Sequence, residues 1–314
     1  MKTVSIVVPV CNSAEILPEL YIALRNSLDD RYQWNLVMID DGSKDATWKV
    51  VCELAANSPN ISALKLRKNF GQDNAIMAGL HHVAGDFVVV MDDDLQHNPA
   101  DIPALVETLA NGFDVCYGRF VSLKQSNVRN SGSRMNGRIA SWLLDKPRHI
   151  YLSPFKAMTA AVVADIIQFQ GPFPYIDGII LALTSNITQC DVEHHQRASG
   201  KSNYNFRKSF GVALRHATGF SVAPLRMASL IGAGAAIVGF LLGIYYLMEF
   251  FFTDHIVEGW TSLVILLIFF GGLILLSLGL IGEYVGRTYL LANRKPQFTI
   301  AEWIKAGNHA ESAE

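Results

Sequence analysis

The chain has 314 residues, 26 Lys and Arg against 28 Asp and Glu, and a formal net charge of −2. Half of it is hydrophobic and only 17% is charged, where an ordinary globular chain carries about 25%. That composition excludes intrinsic disorder, and the lack of a basic excess excludes a nucleic-acid binder that works by bulk charge.

In chain order, residues 4–8 read as an apolar strand ended by Pro9, residues 16–28 as a helix, and residues 34–39 as a second strand. The second strand stops at Asp40-Asp41-Gly42-Ser43, and residues 47–56 are helical again. Residues 61–66 alternate as a third strand, 74–83 have helical spacing, and 86–91 are a β-branched run broken by Asp92-Asp93-Asp94. Alternating helices and near-continuous apolar strands specify a buried, mostly parallel α/β sheet. The polar clusters at 12–15, 40–45, 68–73 and 92–96 each follow a strand, so they converge on the edge where such sheets bind ligands. Three aspartates in a row at the end of a buried strand repel one another unless a cation neutralises them. Oxygen donors of this kind suit Mg²⁺ or Mn²⁺ shared with substrate phosphates. Asp40-Asp41-Gly42-Ser43 with Asp45 is weaker alone, because such a run also makes a turn and helix cap.

The missing charge lies near the C-terminus. Residues 227–286 hold only Glu249, Asp254, Glu258 and Glu283, which leaves 26 basic against 24 acidic residues elsewhere. The runs 227–252 and 260–282 each exceed the roughly 20 apolar residues that cross a bilayer core. Tyr245, Tyr246 and Trp260 sit toward run ends as interfacial aromatics do, and Gly232, Gly234, Gly239, Gly243, Gly271 and Gly272 permit close helix approach. Arg207, Lys208, Arg215 and Arg226 precede the first run, and Arg287, Arg294 and Lys295 follow the second, whereas the connecting loop holds no Lys or Arg. The positive-inside rule then puts both termini in the cytoplasm. Between domain and hairpin, Phe206, Phe210, Leu214 and Phe220 alternate with Arg207, Lys208, Arg215 and His216, as in a helix lying on an anionic membrane. The expected organisation is a domain over 1–205, an amphipathic segment over 206–226 and spans at 227–252 and 260–284. An extracytoplasmic loop, 253–259, joins the spans, and a cytoplasmic tail covers 285–314. Cys11, Cys52, Cys116 and Cys190 show no metal spacing and read as reduced thiols. His97 and His194-His195 lack a second ligand at zinc spacing and read as ordinary turn and strand-end histidines.

Four motifs come together in order: Pro9-Val10-Cys11-Asn12 with Glu15, Asp40-Asp41-Gly42-Ser43, Asn69-Phe70-Gly71-Gln72, and Asp92 to Gln96. As a set they resemble the GT-A fold of family 2 glycosyltransferases. With Arg197-Ala198-Ser199-Gly200-Lys201-Ser202 and Gly282-Glu283-Tyr284-Val285-Gly286-Arg287, the chain is similar to the polyprenyl-phosphate glycosyltransferases. That group includes dolichol-phosphate mannose synthases and bacterial undecaprenyl-phosphate sugar transferases. The resemblance implies a nucleotide site at Pro9, Asn12, Glu15, Asp40, Asp41 and Asp92, and a metal, Mg²⁺ or Mn²⁺, on Asp94 and Gln96. It implies acceptor-phosphate contacts at Arg119, Arg129 and Ser133, and a segment closing on the phosphates at Arg197, Lys201 and Ser202. Asp93 falls where the family often has a small residue and reads as a bystander. Several members carry an Asp before a Phe-Arg pair, proposed as base; here the stretch is Leu152-Ser153-Pro154-Phe155-Lys156, and Asp177 is the best remaining carboxylate for a polar role near the chemistry.

The implied activity is transfer of a single sugar from a nucleotide-sugar donor, usually a UDP-sugar, to a polyprenyl phosphate such as undecaprenyl phosphate. It proceeds with inversion at the cytoplasmic face of the inner (plasma) membrane and supplies cell-envelope polysaccharide synthesis. A processive polysaccharide synthase of the same fold is the nearest alternative, but it would usually carry more spans and a Gln-x-x-Arg-Trp motif. A non-catalytic membrane protein that binds nucleotides or scaffolds an assembly is the alternative from another class. The small-residue helix faces are able to pair helices between chains, as a homo-oligomer, as readily as within one.

Overall fold

The computed structural model describes residues 2–120, 150–192, 223–252, 259–293 and 295–307. The chain divides into two compact units, Met1–Asn203 with Arg294–Glu314, and Tyr204–Asn293. In the first, the strands are β1 (Thr3–Val10), β2 (Gln33–Asp40), β3 (Ile61–Leu66), β4 (Phe87–Val90), β5 (Val115–Phe120), β6 (Lys156–Thr159), β7 (Ile187–Val192) and β8 (Ile300–Ile304). Its helices are α1 (Leu17–Leu28), α2 (Thr47–Asn57), α3 (Gln72–Leu80), α4 (Ile102–Ala110), α5 (Ala160–Ile166) and α6 (Ile176–Leu183).

All eight strands form one sheet in the order β7-β5-β6-β4-β1-β2-β3-β8. β1 pairs in parallel with both β2 and β4, and β2 with β3, so the central strands are parallel as the apolar runs predict. Seven of the eight β1 residues are buried, because helices cover both faces. On one face Leu17, Leu20, Leu24 and Leu28 of α1 make an i, i+3, i+4 stripe that packs into the same cluster as Val4, Ile6, Val8 and Val10. On the other, α3 lies directly on the sheet: a Cβ at Gly79 would stand 2.6 Å from Val7 Cγ1 and 2.7 Å from Ile39 Cδ1.

Pro9 does not end β1. The strand continues to Val10, with Pro9 in register with Ile39 and the Val10 carbonyl accepting from the Asp41 N–H. Proline is tolerated because it stands near the strand's last residue, where one missing donor interrupts little of the ladder. The chain order reverses at β1, whose neighbours are β2 and β4, and this is the switch point beside which open α/β sheets bind ligands.

β6 is antiparallel to both β4 and β5, so the sheet is mixed beyond β4. The expected tail, 285–314, also contains regular structure. Its residues 300–304 are β8, which closes the β3 edge in antiparallel register. Glu302 takes the Lys65 ammonium at 2.8 Å and the Trp48 indole N–H at 3.1 Å, and the Ser62 hydroxyl accepts from the Ala306 N–H. An unpaired β3 would be a template for aggregation, and β8 covers it.

The second unit holds α7 (Ala223–Phe252) and α8 (Trp260–Ala292). Each contains a window long and apolar enough to cross a membrane, Ala228–Tyr245 and Phe269–Ala292, and neither window is buried within the structure. Helix α8 runs eight residues past 284, the expected end of the second span. Most of the amphipathic segment 206–226 lies outside the described residues.

Candidate active site

The loops after β1, β2, β3 and β4 meet at one end of the sheet, around a cavity of about 320 Å³. Pro9, Val10, Cys11, Asp41, Asn69, Gly71, Gln72 and Asp92, Asp93 and Asp94 line it. All four expected clusters contribute to this end, and three of them supply lining residues.

Asp41 fastens two loops together. It is 4% exposed, and its Oδ1 and Oδ2 accept the N–H groups of Phe70 at 2.7 Å and Gly71 at 2.9 Å. Burial pushes its pKa up, against the pull of those two bonds. Asp40 is fully buried; Oδ1 accepts the Ser43 N–H at 3.0 Å, and Oδ2 has no hydrogen-bond partner among the described residues. Asn12, at φ +57°, accepts the Lys44 N–H on Oδ1 at 2.8 Å and donates its own N–H to Ser43 Oγ at 3.0 Å. Asn12 and Asp40 therefore build the wall, and Glu15 is exposed outside the lining set.

Between these loops stands Gly42, at φ +71°. A Cβ there would meet the Asn69 backbone nitrogen at 2.6 Å and the Lys68 carbonyl carbon at 2.8 Å. Gly42→Ala is therefore expected to cost at least about 2 kcal/mol, from left-handed strain plus displaced backbone. Thermal unfolding and nucleotide binding would both register the change.

The aspartate run is held in a strained turn, with Leu95 at φ +57°. Asp92 Oδ1 accepts from Gln72 Nε2 at 2.6 Å, and the Asp92 N–H donates to His97 Nδ1 at 3.2 Å. His97 is buried, its ring nearly parallel to those of Phe120 and Phe155 at 5.7 and 5.2 Å. It reads from sequence as a turn histidine; the structure makes it a prop beneath the turn. Asp93 is no bystander, because its Oδ2 accepts the Cys11 N–H at 3.3 Å and the Ser13 hydroxyl, tying the β4 loop to the β1 loop. Asp94 Oδ1 accepts the Gln96 N–H at 3.1 Å.

The electrostatics of this end are one-sided. Burial, and then the neighbouring Asp94 and Asp93, push Asp92 up to about 6, and burial raises Asp93 as well. Burial and then Asp41 and Asp40 raise the Cys11 thiol. Such a pocket repels a diphosphate unless a cation enters with it. Among the described residues no three or more His, Cys, Asp or Glu converge as a protein-only metal cage. Asp94 and Gln96 nevertheless offer hard oxygen donors, and so few ligands fit an ion of the Mg²⁺ kind that draws the rest from phosphates and water.

Behind the aspartates lies a buried cation that sequence reading missed. Lys156 on β6 stands in register between Val90 of β4 and Tyr117 of β5, and is 3% exposed. It forms an ion pair with Asp177 in the first turn of α6, and Asp177 also accepts the Tyr117 hydroxyl at 3.0 Å. Burial pushes Asp73, which accepts the Ile176 N–H, up to about 6; Lys156 opposes that rise and the rise at Asp92. The available signal was a lone lysine within the apolar run 155–158. Arg119 pairs with Asp191 across β5 and β7 at 2.6 Å, and does not line the cavity. Arg129, Ser133, Arg197, Lys201 and Ser202 lie outside the described residues.

The glycosyl transferase family 2 model matches residues 5–166, which carry β1 to β6 and every lining residue of the cavity. The chain belongs to glycosyl transferase family 2. This glycosyltransferase is 31% identical over 305 residues to a prophage bactoprenol glucosyl transferase homolog of Escherichia coli K12, covering 95% of this chain and 98% of that one. It is also 31% identical over 310 residues to an undecaprenyl-phosphate 4-deoxy-4-formamido-L-arabinose transferase of Photorhabdus laumondii, covering 97% and 95%. In fold, this family 2 enzyme is similar to glucosyl-3-phosphoglycerate synthase of Mycobacterium tuberculosis in complex with UDP. The TM-score is 0.52 at 17% identity, over 69% of this chain and 78% of that one, and it establishes the GT-A-like sheet. The same synthase with Mn²⁺ and UDP-glucose gives a TM-score of 0.50.

Proposed function

We propose that this glycosyltransferase moves one sugar from a UDP-sugar to a polyprenyl phosphate, with inversion, at the cytoplasmic face of the membrane in which α7 and α8 are embedded. The observation that carries the reading is a carboxylate-rich cavity at the sheet's switch point in a chain that also has two helices of membrane-spanning length. The names of the relatives support the acceptor class, and the cationic flanks of the hairpin support the orientation.

In this reading Pro9 and Val10, with the wall built by Asn12, Asp40 and Asp41, receive the nucleotide, and Glu15 reaches it from the rim. Asp92, steadied by Gln72 and His97, faces the donor sugar. Asp94 and Gln96 would hold Mg²⁺ or Mn²⁺, which when bound supplies charge stabilisation of the departing nucleotide diphosphate. The acceptor needs no base, because a phosphate monoester has its second pKa near 6 and is largely dianionic at neutral pH. Its oxygen forms a bond to the anomeric carbon as the carbon–oxygen bond to the diphosphate breaks on the opposite side, and no proton moves. Ser153, in the stretch 152–156 that holds no carboxylate, accepts the Phe155 N–H at 3.2 Å in the core. Asp177 contributes by holding Lys156 beneath the aspartate turn, and Arg129, Ser133, Arg197, Lys201 and Ser202 are the cations and hydroxyl donors that offset two meeting phosphates, whereas Arg119 would first have to leave Asp191 to join them. The test is release of UDP by purified full-length protein given a panel of UDP-sugars. The reading requires release to depend on undecaprenyl phosphate and to be abolished by EDTA. Equal release without the lipid would refute it.

A further inference from the structure

Helix α3 begins beside the aspartate turn, and only Gln72 and Asp73 of it are not buried, since residues 74–80 all pack inside. The turn that leads into it is closed from both sides. Asp41 accepts the Phe70 and Gly71 N–H groups, Asn74 Nδ2 donates to the Phe70 carbonyl at 2.9 Å, and the Ala75 N–H donates to the Gly71 carbonyl at 3.1 Å. Gly71 holds φ +96°, a backbone that favours glycine, with nothing near enough to crowd a Cβ. The helix has no room to settle closer to the sheet, because Gly79 already stands against Val7 and Ile39. Gln72 is therefore a long side chain on a rigid base, exposed and on the cavity wall.

Gln72 Nε2 donates to Asp92 Oδ1 at 2.6 Å. Chemistry fixes which end of the amide faces the aspartate, because an ionised carboxylate only accepts hydrogen bonds. The bond is short and charge-assisted, the strong kind. Asp92 needs such a partner. Asp93 and Asp94 line the same cavity, and their like charges push against its carboxylate. His97 takes the Asp92 backbone N–H, which fixes the main chain and leaves the side-chain torsions to another contact. Gln72 supplies that contact.

We infer that Gln72 is a positioning residue for sugar transfer: its amide fixes one oxygen of Asp92 so that the other is aimed at the donor sugar, and it acts through Asp92 rather than on the substrate. The inference rests on the reading that Asp92 faces the donor sugar. As the carbon–oxygen bond to the diphosphate breaks, positive charge builds on the anomeric carbon and ring oxygen, as in glycoside hydrolysis. A carboxylate already held in place stabilises that charge without reorienting, and the gain is made in the transition state rather than on binding. Loss of the Gln72 bond is therefore felt in kcat and not in the donor KM.

The test compares Gln72→Ala and Gln72→Glu with the wild type, as full-length protein in detergent with Mg²⁺ and undecaprenyl phosphate, at about pH 8, where carboxylates are ionised. Glutamate has the size and reach of glutamine but presents an acceptor where the donor stood. Steady-state UDP release, with the UDP-sugar that the wild type turns over fastest, gives kcat and donor KM. Calorimetric titration with UDP alone reports the nucleotide site. Both variants are expected to lower kcat by at least about 10-fold, on the scale of a misplaced catalytic group. Donor KM and UDP affinity are expected to stay within about threefold, and the thermal midpoint to hold, because Gln72 is exposed. Unchanged kcat in either variant, or a change carried mainly by KM or UDP affinity, would overturn the inference and leave the transferase reading standing. If the wild type releases no UDP from any donor, the transferase reading fails and the inference falls with it.

Discussion

Asp94→Asn is expected to lower turnover by at least about 100-fold, the scale of losing one electrostatic stabiliser of a developing charge, with the thermal midpoint almost unchanged. The two halves of the expectation have separate causes. Asp94 lines the cavity, and its Oδ1 accepts the Gln96 N–H, a bond that an asparagine oxygen can also accept. The turn itself is kept by Asp92 on His97 and by Asp93 on Cys11 and Ser13, neither of which the substitution touches. What disappears is a carboxylate that lines the cavity at the aspartate turn. A scaffold or nucleotide-binding protein would tolerate that loss, so unaltered turnover would argue against an enzyme that works through this aspartate. Steady-state UDP release and differential scanning fluorimetry on the same preparation check both halves.

Lys156→Met is expected to destabilise the first unit by about 3–5 kcal/mol, the usual cost of leaving one member of a buried ion pair uncompensated, and to lower the thermal midpoint by about 10 °C. Lys156 is the cation facing Asp177, Asp73 and Asp92 from beneath the site. Removing it strands the Asp177 carboxylate, which among the described residues keeps the Tyr117 hydroxyl, and leaves the upward push of burial on Asp73 and Asp92 without that opposition. The double variant Lys156→Met with Asp177→Asn is expected to recover much of the loss, because the stranded charge is then gone. A simple sum of the two single effects would contradict a coupled pair. Urea or thermal unfolding of the four proteins in one detergent supplies the comparison.

The central parallel strands are legible in the sequence because both of their faces are buried, so 4–8, 34–39 and 86–91 are nearly continuous apolar or β-branched runs, while 61–66 alternates. Their loops are legible for the same reason: polar clusters after such strands have one place to go. What the sequence conceals is set by distant pairing. Lys156 looks like a stray charge until β6 is inserted antiparallel between β4 and β5, which brings a lysine far along the chain under the aspartate turn. β8 is concealed because Ile300, Trp303 and Ile304 are interrupted by Ala301 and Glu302 in a short stretch after a long apolar helix, and nothing local says that β3 has an open edge. Asp93 is illegible because its partners, the Cys11 N–H and the Ser13 hydroxyl, come from another loop across the cavity and no family resemblance points to them. The apolar helices needed no tertiary information; their lack of charge over more than 20 residues was sufficient.

The central claim is that the acceptor is a lipid phosphate and the product carries one sugar. It is tested most directly by the mass of the lipid formed when full-length protein, undecaprenyl phosphate, Mg²⁺ and each UDP-sugar in turn are incubated together. The account predicts, for at least one donor, a new lipid heavier than undecaprenyl phosphate by a single glycosyl residue, with stoichiometric UDP and loss of the product in Asp94→Asn. A ladder of heavier products, or UDP formed with the lipid unchanged for every donor, would contradict it.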